Sequence, residues 1–344
     1  MENKYRKPQD ILEKQLDELK QYQNESKNKL SLLEKQLRGT TNKNDKANII
    51  KTKPVLNFLS HILPFNHIEI KNYDVVEKKL NKIIGEGKEN VHIISDFDMT
   101  ITKYWHNGER SPNSHDIFTK SSMVNDEFRK RYEGSKAKYY PIEISPDLTN
   151  EEKYPYMVEW WENTNETIIE QQIHKDDLPK MVRETPFVYR PVIKDVFYTC
   201  REKKIPFLVF SAGIHNIIHE ALKQANLYFE NMNIVSNKML FNDQTGICDR
   251  FEGPLFHVFN KGSFDLKGTE YGKLVKDRRN VIICGDSLSD LQMADGVKYE
   301  TCLSVGFLNL NKDKMLERYK ENFDIVITDD DSWDLVNELL KILI

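Results

Sequence analysis

Three short stretches built to one grammar constrain this chain more than anything else in it. VHIIS (91–95) runs straight into DFDMT, FLVF (207–210) into SAG, and NVIICG (280–285) into DSLSD. Each begins as an apolar run rich in β-branched or aromatic residues, too short to be a helix alone, and ends on small or acidic residues. Helix-like sequence follows the second and third, IHNIIHEALKQ and SDLQMADGV. Strands that alternate with helices imply a parallel sheet with crossover connections, an α/β fold. In such sheets ligands bind beyond the carboxyl ends of the strands. Asp96, Ser211 and Asp286 each fall just past a predicted strand end, so one sheet edge gathers groups up to 190 residues apart in sequence.

The chemistry of that edge starts with Asp96 and Asp98. In extended backbone, residues i and i+2 project to one side, and two carboxylates there repel unless a cation or a proton lies between them. Asp286 and Asp290 add two more carboxylates. An all-oxygen set of this kind suits a hard cation, Mg²⁺ above all. A lone DxD is usually a solvated turn; DxDxT directly after an apolar strand, joined in order to strand-SAG and strand-GDxxxD, points to a site.

Composition excludes several other functions. The 344 residues carry a net charge of −4, which argues against a globally basic binder of nucleic-acid polymers. No apolar run approaches the roughly 20 residues of a membrane helix. The opening MENKYRKPQD lacks the apolar core of a secretory signal. Cys200, Cys248, Cys284 and Cys302 form no CxxC pair and read as reduced thiols. A cytoplasmic protein without a membrane partner is the expectation.

Charge is unevenly spread: residues 1–53 carry +5 and the remainder −9. Leu12, Leu16, Leu19, Leu30, Leu33 and Leu37 follow heptad spacing, with Gln23 and Ser26 at the intervening seam positions. This arm reads either as a coiled coil joining a homodimer or as a solvated tail. GTTNKNDKAN (39–48) reads as a linker. Between Asp98 and Ser211 lie 112 residues, far more than a crossover helix needs. The insert must be a domain, and DEFRKRY and EEKYPYMVEWWENTNETIIEQQI give it a helical pattern. The expected division is an arm at 1–70, a first core part at 71–111, a helical cap at 112–188, and a second core part at 189–344.

Taken together, DFDMTIT, YYPIEISP, EEKYPYMVEWW, FSAGI, HVFNK and GDSLSDLQMADGV resemble the cytosolic 5′-nucleotidase III (pyrimidine 5′-nucleotidase) family. That family lies within the haloacid-dehalogenase-like phosphohydrolases. The similarity runs from about residue 75 to the C-terminus and leaves the arm uncovered. It implies a Rossmann-like core with an inserted helical cap. It also implies Mg²⁺-dependent hydrolysis of a nucleoside 5′-monophosphate (CMP, UMP or 7-methyl-GMP) through an aspartyl-phosphate.

The resemblance further implies roles. Asp96 is the nucleophile and Asp98 the acid and then base. Mg²⁺ is held by the Asp96 side chain, the Asp98 backbone carbonyl and Asp286, with Asp290 behind them. From the residues alone, Asp290 reads equally as a helix N-terminal charge. Ser211 and the N–H groups of Ala212 and Gly213, read as a helix start, receive phosphate oxygens; an N-cap is the other reading of Ser211. Lys261 clamps the phosphate, a role that only the resemblance assigns. Thr100 fixes the loop after Asp98 or caps a helix. Glu143 matches the family's base-contacting residue, although glutamates are mostly surface residues. Thr164 stands where the family often has Ser. Trp160-Trp161 is similar to the 7-methylguanosine-specific members, where the pyrimidine-preferring ones tend to have Trp-Tyr. An indole suits a cationic base; otherwise Trp161 only packs the cap. Adjacent helical residues do not share a face, so one Trp is expected in the core and the other elsewhere. His106, His115, His174 and His215 read as surface or packing residues. Two other readings remain, a general small-molecule phosphatase and a catalytically idle scaffold acting through the arm.

Overall fold

The computed structural model describes residues 67–145, 147–330 and 332–344, with isolated positions at 20, 21, 24, 25, 27, 28, 31, 32, 35 and 58. The heptad arm, the linker and the homodimer read from them lie outside the described residues.

The apolar runs become strands because every side chain of each is buried. β1 is Ile68–Glu69; helix α1 (Tyr73–Glu86) leads to β2 (Val91–Ser95), which is buried along its whole length. A small hairpin follows, β3 (Trp105–His106) and β4 (Glu109–Arg110). Helices α2 (Asp116–Lys120), α3 (Asp126–Glu143), α4 (Asn150–Glu170), α5 (Leu178–Glu184) and α6 (Ile193–Glu202) precede β5 (Phe207–Ile214). After it come α7 (His215–Gln224), β6 (Met232–Phe241), β7 (Cys248–Glu252), α8 (Glu270–Val275) and β8 (Asn280–Gly285). The chain closes with β9 (Thr301–Leu308), α9 (Lys312–Asn322), β10 (Ile325–Thr328) and α10 (Asp334–Ile342).

One eight-stranded sheet runs in the order β1-β10-β9-β8-β2-β5-β6-β7. It is parallel from β10 through β6, with antiparallel edges at β1 and β7. This is the parallel α/β sheet expected from the three runs and the Rossmann-like core that the resemblance implies. After β2 the chain moves to β5 on one side and later returns to β8 on the other. β2 is therefore a topological switch point, where crossovers diverge and leave a crevice.

Register turns that topology into a site. Ser95 pairs with Val209 of β5 and Cys284 of β8. Asp96 comes next, its N–H donating to the Cys284 carbonyl at 2.9 Å. Ser211 and Asp286 lie two residues beyond their partners on either side. The third run departs from the helix expected after it: Leu288–Ala294 is 3-10 helical, opened by a reciprocal cap between Ser287 and Asp290.

The stretch between β2 and β5 is mostly helical, as its sequence pattern suggested. Thr149 and Glu152 form a reciprocal cap at the start of α4, satisfying two orphan amides. α3 and α4 meet through stacked Tyr139 and Trp160, centroids 5.8 Å apart. α4 touches the core where the Trp161 indole Nε1 donates to the Ala212 carbonyl at 3.0 Å. No helix among the described residues is long and apolar enough to cross a membrane. All four cysteines are free.

Candidate active site

A cavity of about 360 Å³ lies between the carboxyl ends of β2, β5 and β8 and the helices α3 and α4. Asp96, Asp98, Ser211, Ala212, Lys261, Asp286, Asp290, Glu143, Trp161 and Thr164 all line it. Thr100 sits just behind, its hydroxyl 3.5 Å from Asp286 Oδ1.

At the sheet end, charge is concentrated and mostly paired. Carboxylate oxygens of Asp96, Asp286 and Asp290 lie within 4.8 Å of one another. Lys261, buried at the start of a 3-10 turn, donates to Asp96 Oδ1 at 2.6 Å and to Asp290 Oδ1 at 2.7 Å. Asp290 is thus beside the other two carboxylates as well as in its helix cap. Burial pushes the Asp96 carboxyl up to about 6 against the pull of Lys261. Burial and the charges of Asp96 and Asp290 hold Asp286 well above the carboxylate range. Burial would lower the Lys261 ammonium, but Asp290 and Asp96 outweigh it and raise its pKa. Three carboxyl groups around one ammonium present oxygen donors alone, and a bound dication would hold them ionised. That donor set fits Mg²⁺.

Asp98 is placed differently. Its two oxygens accept from the Ser114 N–H at 2.9 Å and the Ser114 hydroxyl at 2.7 Å. Burial, then the neighbouring Asp96 charge, pushes it up to about 7 despite those bonds. A carboxyl of that pKa exchanges its proton near neutrality, which suits acid–base work. Gly213 makes room for the pair, since a Cβ there would overlap the Ser114 hydroxyl.

Ala212 and Gly213 correct an expectation. They do not start a helix: β5 continues through them to Ile214, with a register break after Phe210, and α7 begins at His215. The segment keeps strand conformation, so its amides are not a helix terminus. The Ser211 hydroxyl accepts from the Gly213 N–H at 3.0 Å. The Ala212 carbonyl receives the Trp161 indole and, at 2.8 Å, Asn237 Nδ2.

The helical end is aromatic. Trp160 and Trp161 both line the cavity, against the expectation that adjacent residues diverge. Their rings meet edge to face at 5.1 Å, so side-chain rotation brings both to one wall. The Thr164 hydroxyl back-bonds to the Trp160 carbonyl at 2.8 Å. Glu143, at the last turn of α3, is partly buried, and burial pushes it up to about 7 against the charges of Arg110 and Lys153. Its carboxylate has no hydrogen-bond partner among the described residues.

Among the residues at or beside the cavity that escape the sequence reading are His115, Arg110 and Ser114. His115 had been read as surface or packing, yet it lines the cavity with its ring 6.1 Å from Trp161. Burial lowers it to about 4, so it is neutral at pH 7. Arg110 comes from the β3–β4 hairpin, and Ser114 binds Asp98. One signal did exist for Arg110: Asn107-Gly108, both at positive φ (51° and 82°), is a two-residue hairpin turn.

Comparison with known proteins bears on this geometry. The family model of pyrimidine 5′-nucleotidase (UMPH-1) matches residues 99–344. The chain is 38% identical over 281 residues to 7-methylguanosine phosphate-specific 5′-nucleotidase A of Xenopus laevis, covering 81% of this chain and 97% of that one. It is 38% identical over 268 residues to the Homo sapiens 7-methylguanosine phosphate-specific 5′-nucleotidase, covering 76% and 89%. Among solved structures, cytosolic 5′-nucleotidase IIIB bound to cytidine superposes with a TM-score of 0.75 at 31% identity, covering 82% of this chain and 95% of that chain.

Proposed function

The chain belongs to the cytosolic 5′-nucleotidase III (pyrimidine 5′-nucleotidase) family, and from that premise we propose how its cavity performs 5′-nucleotidase chemistry and on which base. The reading is Mg²⁺-dependent hydrolysis of a nucleoside 5′-monophosphate through an aspartyl-phosphate, with 7-methyl-GMP and CMP both accepted. The observation that carries it is the one cavity with a carboxylate–lysine cluster at one end and Glu143 with two indoles at the other.

Asp96, Asp286 and Asp290 supply the side-chain oxygens that would hold Mg²⁺, with the Asp98 carbonyl as the further ligand the family implies. When bound, the ion would draw charge from the phosphoryl oxygens and so open the phosphorus to a carboxylate. Asp96 attacks phosphorus; the Asp–phosphorus bond forms as the bond to the nucleoside 5′-oxygen breaks. Asp98 gives its proton to that departing oxygen. It then takes a proton from the water that attacks the aspartyl-phosphate, which releases phosphate and restores Asp96. One carboxyl serves both halves because the second proton transfer reverses the first, and burial beside Asp96 raises its pKa toward neutrality. Lys261 steadies the phosphoryl charge, and Ser211 donates to a phosphate oxygen.

At the other end Glu143 accepts from the amino group of cytosine or the N–H edge of a guanine. Trp161 faces the base, and a methylated, cationic guanine gains most from an indole face. The names of the Xenopus and human relatives support the 7-methylguanosine reading, and the cytidine in the superposed structure supports the pyrimidine one. The cap is proposed to span 112–188, and a cytoplasmic location accords with the name of the superposed enzyme.

Acid quenching during turnover of CMP carrying radioactive phosphorus tests the covalent step. Label should stay with the wild-type protein and not with Asp96→Asn. Label on both, or on neither, would contradict the aspartyl-phosphate.

A further inference from the structure

The turn that carries Asp98 is pinned by a buried guanidinium that the mechanism above does not use. Arg190 precedes α6, and its side chain is wholly enclosed. Its Nε donates to the Thr100 carbonyl at 2.9 Å and its Nη2 to the Met99 carbonyl at 2.7 Å. Asn309, just past β9, adds a second donor to the Met99 carbonyl at 2.9 Å and is itself bonded to Arg190. The Trp333 indole adds a second donor to the Thr100 carbonyl at 3.0 Å. Two consecutive carbonyls therefore receive four side-chain donors.

Asp330 completes the frame. Its Oδ1 lies 3.1 Å from the Arg190 guanidinium. Its two oxygens accept the backbone N–H groups of Tyr104 and Trp105 at 2.8 and 2.9 Å, where the β3 hairpin begins.

What all this holds is a strained residue. Met99 has φ of 62°, in the left-handed region that a residue with a side chain seldom adopts. Such a conformation persists only where its surroundings over-determine it. Asp98 immediately precedes it, so the carbonyls that Arg190 grips fix the backbone from which the Asp98 side chain departs, while Ser114 holds the carboxylate at its far end.

We propose that Arg190 is a positioning residue for the general acid: its planar fork locks the Met99–Thr100 carbonyls and thereby aims the Asp98 carboxyl at the departing nucleoside oxygen. The inference rests on the reading of Asp98 as the acid. Lysine cannot reproduce the fork, since one ammonium does not present two fixed donors to successive carbonyls.

The test uses leaving groups that differ in their need for a proton. With enzyme in excess and Mg²⁺ present, single-turnover release of cytidine from CMP is compared with release of nitrophenol from p-nitrophenyl phosphate. Cytidine leaves as a poor alkoxide unless protonated, whereas nitrophenolate departs unaided. Arg190→Lys should slow cytidine release by about a hundredfold, the scale of a misplaced catalytic group. It should leave nitrophenol release within about threefold of wild type, because the nucleophile is untouched. Asp98→Asn, run alongside, should show the same asymmetry at larger size.

Equal slowing of both leaving groups by Arg190→Lys would make Arg190 a structural residue or one acting through Asp286, and would overturn the inference. So would no slowing of either. Equal slowing by Asp98→Asn would instead remove the acid reading, and the inference with it. Circular dichroism and thermal melting establish that the variants fold. Should Arg190→Lys not fold, Asp330→Asn releases the guanidinium from its other side. It should show the asymmetry at about fivefold, and symmetric rates there would overturn the inference equally.

Discussion

The two ends of the cavity are built on opposite plans. At the sheet end, Asp96, Asp290 and Lys261 are buried and bonded to one another before any substrate arrives. Strand register places Asp96, 3-10 turns carry Lys261 and Asp290, and Gly285 lets Asp290 come close, since a Cβ there would overlap its side chain. At the helical end, Glu143 has no hydrogen-bond partner among the described residues and lies beside indoles that meet edge to face. A site that is already satisfied costs little reorganisation during reaction, which is what phosphoryl transfer needs. A site left open for a ligand binds by what the ligand supplies, which is what base selection needs. Rate thus belongs to the sheet end and choice to the helical end.

The harshest break in that division is Asp96→Asn. It removes the attacking oxygen and one metal charge together, so turnover on every substrate should fall to background while the melting transition remains. Retention of a sizeable fraction of wild-type turnover would show that the sheet end is not where the chemistry happens.

Trp161→Tyr should act on choice. The indole's advantage for a cation is on the order of 1–2 kcal/mol, roughly tenfold. kcat/KM for 7-methyl-GMP should fall about tenfold more than that for CMP. Equal losses would make Trp161 a packing residue tied to the Ala212 carbonyl.

The pH dependence of KM sharpens the same point. Burial raises Glu143 from 4.5 to about 7, so below pH 7 it is increasingly protonated and loses its accepting anion. KM for CMP and 7-methyl-GMP should rise as pH falls through 7 and level off above it. In Glu143→Gln the profile should be flat over that range. A rise in KM with increasing pH would contradict the assignment.

The smallest effect belongs to the arm. The proposed roles place no site residue in 1–53, so deleting it should leave turnover unchanged, and light scattering should report loss of any dimer the heptads make. A collapse of activity would bring the arm into the site.

Legibility in the sequence follows the same line between the ends. Asp96, Asp98, Ser211, Asp286 and Asp290 sit within a few residues of short apolar strands, and parallel register brings strand ends together almost by necessity. Lys261 is a lysine among many, and only resemblance singled it out. His115 and Arg190 depend on how loops fold back across the sheet, which no local pattern encodes. The Met99 conformation was hidden for the same reason: the donors to the Met99 and Thr100 carbonyls come from positions 190, 309 and 333. The paired tryptophans misled because helical spacing fixes Cα directions and not where a large ring finally lies.

One measurement addresses the division of labour most directly. Phosphate release is followed on CMP, UMP, 7-methyl-GMP, AMP and ribose 5-phosphate with Mg²⁺ present. The account predicts turnover of 7-methyl-GMP and CMP at comparable kcat/KM, discrimination against AMP by the shape of the helical end, and much poorer use of the sugar phosphate, which offers nothing to Glu143 or the indoles. Ribose 5-phosphate hydrolysed as efficiently as the nucleotides would contradict it, and would make this cavity a general phosphatase site.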